Sequence, residues 1–376
     1  MRYVKIGLPF KKRSEVLALG AQSKASFCLL KNGVAYLSGP CGDLGDLRNI
    51  ELFEKGVASL RRGRKSRPGI IACDLHPEYI STRLAKDMTE KGARLKPVQH
   101  HEAHVASCMA DNAVKGAVIG IAFDGTGFGR DGNIWGGEFF TGSIKGFKRA
   151  AHLKYIPMPG GEASIKKPWH MAWSYLYNIY GMRFKGLKID FLRRPDKAKI
   201  DLLTQIIDKK INSPLTSSMG RLFDAVSSLL GICYAAEYEG QAAIELEKAI
   251  KCQVSGVRCQ GRYNFKYKDE KDAIVIDWAP VIRGIVKDLQ AKKDRGNISL
   301  KFHNTICAMI KDVCILLRKK YKISKVCLSG GVFQNRYLTS RTRPLLEEEG
   351  FRVYLHKKVP AHDGNIALGQ AVLAGT

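Results

Sequence analysis

The chain has 376 residues, with 62 lysines and arginines against 35 aspartates and glutamates, for a formal net charge of +27. At 45% hydrophobic and 26% charged residues it has the composition of a folded protein with room for two ordinary domains. No apolar run approaches the roughly 20 residues that span a bilayer, and MRYVKIGLPFKKRS lacks the apolar core of a signal peptide, so no membrane segment and a cytoplasmic address are expected.

In chain order, residues 1 to 15 read as a basic lead-in. Val16 to Gly20 is a short buried-type strand, Ala25 to Leu30 a second and Val34 to Ser38 a third, the last two joined by Asn32-Gly33, a hairpin signal. Asn49 to Gly63 carries an amphipathic helix pattern, Gly69 to Cys73 a strand ending in Asp74-Leu75-His76-Pro77, and Ser81 to Lys91 another helix. Strand and helix alternate, so the fold class is α/β.

The segment VQHHEAHVASCMADN then places His100 and His104 four apart at the head of an alanine-rich helix, with both imidazoles on one face. His101 faces elsewhere and reads as a neighbour. The strand Val118 to Phe123 runs into a turn, Asp124-Gly125-Thr126-Gly127, where backbone amides can approach a phosphate and the carboxylate can reach a metal. A second hairpin returns through Ile134 to Phe140. Strand, phosphate-type turn and hairpin thus occur twice, about 100 residues apart, which predicts two similar lobes, 16–115 and 116–376, with both turns facing one ligand in the cleft between them.

From about 160 to 310 helical patterns dominate (Trp169 to Tyr180, Ile200 to Lys210, Arg221 to Gly231, Gln241 to Ala249), predicting a mostly helical insert in the second lobe. A small β excursion interrupts it between Lys251 and Asp277, with Tyr263, Phe265 and Tyr267 alternating. The close returns to α/β: strand Lys325 to Leu328, the glycine turn Ser329-Gly330-Gly331-Val332, a helix Asn335 to Glu349, a strand Arg352 to His356, and Pro360-Ala361-His362-Asp363-Gly364 before a last helix, Ile366 to Ala374. Glycines between a strand and a helix N-terminus suit a phosphate or nucleoside, a weak signal by itself. Asp363 supplies a second turn carboxylate, and two histidines with two aspartates make an N2O2 set that suits iron, manganese or zinc better than calcium or magnesium.

The ten cysteines contain no C-x-x-C spacing and several, such as Cys28, sit inside apolar runs, which argues against a disulfide framework or zinc ribbon. The basic residues are dispersed (Lys11-Lys12-Arg13, Arg61-Arg62-Gly63-Arg64-Lys65, Lys209-Lys210, Arg318-Lys319-Lys320) and read as solvated surface. Their surplus still leaves room for an acidic partner, a nucleotide or RNA.

Six ordered segments, VQHHEAHVAS, FDGTGFGRDGNIWGGEF, GRLFDAVSSLLG, YEGQAAIELE, LSGGVFQNRYL and DGNIALGQA, together resemble the C-terminal carbamoyltransferase part of the HypF hydrogenase maturation family, from about Val16 to the end. Wider relatives are antibiotic O-carbamoyltransferases and the TsaD family, which makes threonylcarbamoyladenosine on tRNA. The resemblance implies a two-lobed actin-like fold (ASKHA, a ribonuclease H-like duplication). It implies transfer of the carbamoyl group of carbamoyl adenylate to the C-terminal cysteine of a HypE-like acceptor, on the route to the cyanide ligand of a nickel-iron hydrogenase. Carried over by residue, His100, His104, Asp124 and Asp363 hold a divalent metal, iron or zinc. Asp224, Gly240, Gln241 and Glu245 stand around the ribose, and Gly330, Gly331 and Asn335 around the adenine and phosphate. Lys24, in the first hairpin turn, faces the phosphate or carbamoyl oxygen, and no cysteine of the chain serves as nucleophile. The alternative within the superfamily is O-carbamoyl transfer or tRNA modification.

Two departures from the family pattern stand out. Asn365 follows Asp363-Gly364 where a glycine is usual, with an expected effect on phosphate contacts. His170 follows Pro168-Trp169 where an arginine is common, removing one positive contact. The acylphosphatase, zinc and adenylating modules of full HypF have no counterpart in this sequence, so the chain is expected to be either a fragment or a separately encoded transferase half, which by itself would need the activated donor supplied in trans, as by a separate adenylating protein.

Overall fold

The structure, a computed structural model, describes residues 2–8, 14–89, 92–194, 196–250 and 261–376. The Lys11-Lys12-Arg13 run, the first ten residues of the expected β excursion, and Cys252 and Cys259 lie outside the described residues.

The first lobe runs β1 (Tyr3–Gly7), β2 (Val16–Ala18), β3 (Cys28–Lys31), β4 (Val34–Ser38), α1 (Leu47–Gly63), β5 (Ile70–Asp74), α2 (Ile80–Thr89), β6 (Arg94–Val98) and α3 (His100–Asp111). Its sheet has the order β1-β4-β3-β2-β5-β6. Residues 3–7, read above as part of a lead-in, instead pair antiparallel with β4 as the edge strand β1. The two-residue loop Asn32-Gly33 has positive φ at both positions, 51° and 76°, the conformation that joins twisted antiparallel strands tightly, and Lys31 opposes Val34 across it. β2 and β5 are buried along their whole length, as parallel central strands covered on both faces must be.

The second lobe begins with β7 (Val118–Phe128), β8 (Ile134–Ser143), β9 (Gly146–Leu153) and β10 (Ile156–Pro157). The helical insert holds α4 (Ala163–Lys166), α5 (Pro168–Tyr180), α6 (Lys197–Asp208), β11 (Leu215–Thr216), α7 (Met219–Leu229) and α8 (Gln241–Lys248), then β12 (Lys266–Asp269), β13 (Ile274–Asp277), α9 (Ala279–Gln290) and α10 (Arg295–Tyr321). The chain closes with β14 (Lys325–Ser329), α11 (Arg336–Glu348), β15 (Arg352–Tyr354) and α12 (Ile366–Ala374).

Here the sheet order is β12-β13-β9-β8-β7-β14-β15. The run β9-β8-β7-β14-β15 repeats β4-β3-β2-β5-β6 strand for strand: a central first strand antiparallel to the second and parallel to the fourth, with the fifth parallel to the fourth. The doubled hairpin of the sequence is therefore a doubled sheet. The β excursion is real but begins at Lys266, after Tyr263 and Phe265, and widens this second sheet through β13.

Each lobe ends on a helix that packs on the other lobe. α3 lies against β7, β8 and β14 of the second sheet, and α12 against β2, β3, β4, β5 and β6 of the first, while α3 and α12 pack on each other. The contact is close because residue 369 is glycine: a Cβ there would collide with the carbonyl of Ala103. Val16, Ala18, Leu30 and Ala72 share one apolar cluster with Ala106, Leu368 and Val372, so the division at 115/116 is one of sequence and not of packing. Among the described residues no helix is long and apolar enough to cross a membrane.

Candidate metal centre and nucleotide cleft

α3 starts where Gln99 caps it. The Gln99 side-chain oxygen accepts from the amide of Glu102 at 2.9 Å, and its Nε2 donates to the carbonyl of Phe128 at 3.0 Å, tying the helix start to the end of β7. His100 and His104 therefore fall on the first turns of a helix that is buried throughout. Their Nε2 atoms face Asp124 Oδ2 at 3.4 and 3.5 Å and Asp363 Oδ1 at 3.7 and 3.6 Å.

The four ligand atoms all lie within 4.8 Å of one another. Separations of 3.4 to 3.7 Å are long for hydrogen bonds. They suit the edges of a coordination tetrahedron, about 3.3–3.4 Å for metal bonds of about 2.0–2.1 Å. Both Nε2 atoms are shielded from solvent and have no hydrogen-bond partner, a costly state for buried nitrogen that a cation would relieve. The residues fit a divalent metal.

Asp124 reaches this point because β7 continues through the expected turn. The strand extends to Phe128, with a register irregularity between Phe123 and Gly127, where four steps along β7 match two along β8. The extra residues form a bulge that turns Asp124 inward. This corrects the free turn read from Asp124-Gly125-Thr126-Gly127. Ser218, the N-cap of α7, holds the bulge: its hydroxyl lies 2.8 and 2.7 Å from the carbonyls of Asp124 and Gly125. Asp124 Oδ1 accepts from the amide of Gly331 at 2.9 Å, leaving Oδ2 for the centre. Gly330, at φ 99°, lets the glycine turn pass directly under the carbonyl of Phe123, where any side chain would clash.

Burial alone would lower the pKa of His100, but the charge of Asp74 and contacts with Asp124 and Asp363 raise it well above the usual imidazole value. His104 is raised as well, against burial, by Asp124 and Asp363. The same contacts hold Asp124 and Asp363 below the usual carboxylate range despite their burial. His101 stays out of the cluster. Burial and the neighbouring His100 push its pKa down to about 3, and its Nδ1 lies 3.1 Å from Gln99 Nε2.

A cleft of about 340 Å³ opens beside the centre. Of the residues expected around a nucleotide or its reacting end, Lys24, Asp124, Asp224, Gly240, Gly331, Asn335 and Asp363 line it. Gln241 and Glu245 do not: Gln241 Nε2 donates to Glu245 Oε1 at 2.7 Å, and the α8 stripe facing the cleft is Gly240, Ala243, Ile244 and Glu247. Gly330 contributes backbone placement and not lining.

Lys24, at φ 47°, reaches from the first lobe to Glu239 of the second, Nζ to Oε2 2.7 Å. Its pKa is raised because Glu239, Asp363 and Asp124 outweigh its partial burial. Asp224 lies 2.8 Å from Arg221 Nη2, aligned as an ion pair and not as a hydrogen bond, and burial outweighs that charge to push its carboxyl up to about 6. A larger groove of about 920 Å³ over β9, β12 and β13 holds none of these residues.

Arg221, Glu239, Glu247 and His362 also line the cleft and were not singled out from the sequence. All four stand inside segments that were quoted, and the Gly240, Ala243, Ile244, Glu247 stripe follows helical spacing that marks the facing side of α8. Neither departure residue lines the cleft. Asn365 is fully buried and its amide donates to the carbonyl of Pro360 at 2.9 Å. The His170 ring sits 3.2 Å from the carbonyl of Pro159.

Comparison with known proteins matches two family models. Residues 11–111 match "HypF Kae1-like domain", and residues 120–370 match "Carbamoyltransferase, Kae1-like Domain, second subdomain". Carbamoyltransferase HypF of Synechocystis is 34% identical over 379 residues, covering 97% of this chain and 48% of that protein. A carbamoyltransferase HypF homolog of Cupriavidus necator is 32% identical over 374 residues, covering 96% of this chain and 91% of that one. The crystal structure of full-length HypF in its phosphate- and nucleotide-bound form superposes with a TM-score of 0.91 at 39% identity, over 99% of this chain and 56% of the other. The chain thus spans about half the length of the Synechocystis relative and nearly all of the C. necator homolog.

Proposed function

The chain belongs to the HypF carbamoyltransferase family, and from that premise we propose that it moves the carbamoyl group of carbamoyl adenylate to the C-terminal cysteine thiol of a HypE-like acceptor. The supporting observation is that Asp124 and Asp363 belong at once to the four-ligand cluster and to the wall of the nucleotide cleft. A donor lying in the cleft with its phosphate towards Gly331 has its carbamoyl end at the cluster.

The step balances simply. The acceptor thiolate attacks the carbamoyl carbon, the bond from that carbon to the phosphate oxygen breaks, AMP leaves, and the thiol proton passes to solvent. His100, His104, Asp124 and Asp363 would hold a divalent metal, which would supply positive charge against the oxygen that becomes negative as the carbon is attacked. Lys24 stays protonated and stands at the mouth, where it can neutralise the departing phosphate once released from Glu239. Asp224 orients the ribose, and the amide of Val332, next to Gly331 in the cleft wall, the phosphate.

The eight described cysteines are free and buried, and burial pushes the thiols of Cys73, Cys233 and Cys307 up to about 11. Burial disfavours the thiolate of these three, which supports a nucleophile supplied by the acceptor.

The test supplies the protein with a HypE-like acceptor, labelled carbamoyl phosphate, ATP and an adenylating protein, and follows label on the acceptor cysteine by mass spectrometry. Label there supports the reading. Label on RNA or a small hydroxyl compound, with the acceptor clean, favours the alternative that the +27 charge leaves open.

A further inference from the structure

His303 lies on α10, fully buried and outside the cleft lining. Both ring nitrogens are engaged, Nδ1 at 2.8 Å from the carbonyl of Ser299 and Nε2 at 3.0 Å from Asn335 Nδ2. The atom identities are forced by chemistry. The amide of Leu338 can only donate, so the Asn335 atom 2.8 Å from it is Oδ1. That turns Nδ2 towards His303, whose Nε2 must accept. The Ser299 carbonyl can only accept, so Nδ1 carries the hydrogen. A neutral ring satisfies every contact, and burial, which pushes the pKa of His303 down to about 4, keeps it neutral.

Asn335 caps α11 and lines the cleft. Its oxygen accepts from Leu338 and one amide hydrogen goes to His303, so the orientation of the amide is set and its second Nδ2 hydrogen is left for another acceptor. Resting on the nucleotide-site reading above, we infer that His303 is a positioning residue for the bound nucleotide: it fixes which way the Asn335 amide is turned, so that the second Nδ2 hydrogen is offered to an acceptor on the ligand. Removing the ring acceptor leaves a buried N–H unpaired, and the amide turns to satisfy it at the expense of the cleft.

The variant His303→Phe keeps an aromatic ring among Phe223, Phe302 and Tyr337, whose centroids lie 5.3, 5.8 and 5.7 Å away, while deleting the acceptor. His303→Gln restores an acceptor oxygen, and His303→Met takes the place of the Phe variant if that one does not fold. AMP is titrated calorimetrically into the wild-type protein, these variants, Asn335→Ala and the double variant. The expected result is AMP binding weakened about tenfold by Phe, largely recovered by Gln, and unaffected by Phe in the Asn335→Ala background. Equal loss in both backgrounds, or no loss in either, overturns the inference and leaves the nucleotide site standing. No AMP binding by the wild-type protein overturns the nucleotide reading and this inference with it.

Discussion

Asp74 Oδ2 accepts the Nδ1 hydrogen of His100 at 2.8 Å, from a carboxylate at the end of β5 that is closed to solvent. A strand of the first sheet thereby fixes the orientation of a ring on α3 and leaves its Nε2 aimed at Asp124 and Asp363. His104 has a longer support, Nδ1 to Ser329 Oγ at 3.5 Å, with that hydroxyl 2.8 Å from His356 Nε2. Substituting Asp74→Asn is expected to weaken zinc or iron(II) binding by about 10- to 100-fold while the protein still folds. Competition against a coloured chelator measures it, and unchanged affinity would show that Asp74 serves packing alone.

Metal affinity should climb with pH. Asp124 and Asp363 raise the pKa of both His100 and His104, and Asp74 that of His100, so a cation binding there competes with protons. Chelator competition at several pH values reads this directly. A flat profile would mean that the two rings are already neutral in the free protein.

Asp224 gives an opposite signature for stability. Its folded pKa of about 6 exceeds the ordinary carboxylate value, so the folded chain binds this proton more tightly than the unfolded one. The associated stability is full below about pH 4 and is lost as pH rises through about 6, a difference on the order of 3 kcal/mol. Asp224→Asn should therefore melt higher than wild type at pH 7 and alike at pH 4. With Asp224 in its proposed role as acceptor for the ribose hydroxyls, AMP affinity should rise from pH 5 to pH 7 more in the wild type than in Asp224→Asn. Parallel melting curves at both pH values would contradict the assignment.

Lys24 and Glu239 separate stability from function. Their pair is 34% and 65% exposed, so Glu239→Gln should cost about 1 kcal/mol or less. Lys24→Met should lower carbamoyl transfer by at least about tenfold, since a charge facing the departing phosphate is lost. Equal transfer by wild type and Lys24→Met would remove Lys24 from the reacting end.

The histidine spacing, both Asp-Gly segments and the doubled hairpin were legible because each is local: i, i+4 on a helix, a carboxylate at a strand end, Asn-Gly in a turn. The bulge at Asp124 was not, because a register slip belongs to the pairing of β7 with β8 and leaves no mark on one strand alone. Gln241 and Glu245 were placed in the cleft on resemblance, while the cleft side of α8 is set by the packing of α7 and α8. Asp74, noted only as a strand end, became a partner of His100 once β5 and α3 were brought together.

The most direct measurement is carbamoyl transfer by protein stripped of metal and then reconstituted. With acceptor, donor-making partner, labelled carbamoyl phosphate and ATP held constant, label on the acceptor cysteine should be absent from the stripped protein and return with iron(II) or zinc. It should not return in His100→Ala or Asp363→Ala. Full transfer by the stripped protein, or by either variant, would contradict a metal centre at His100, His104, Asp124 and Asp363 as the seat of the reaction.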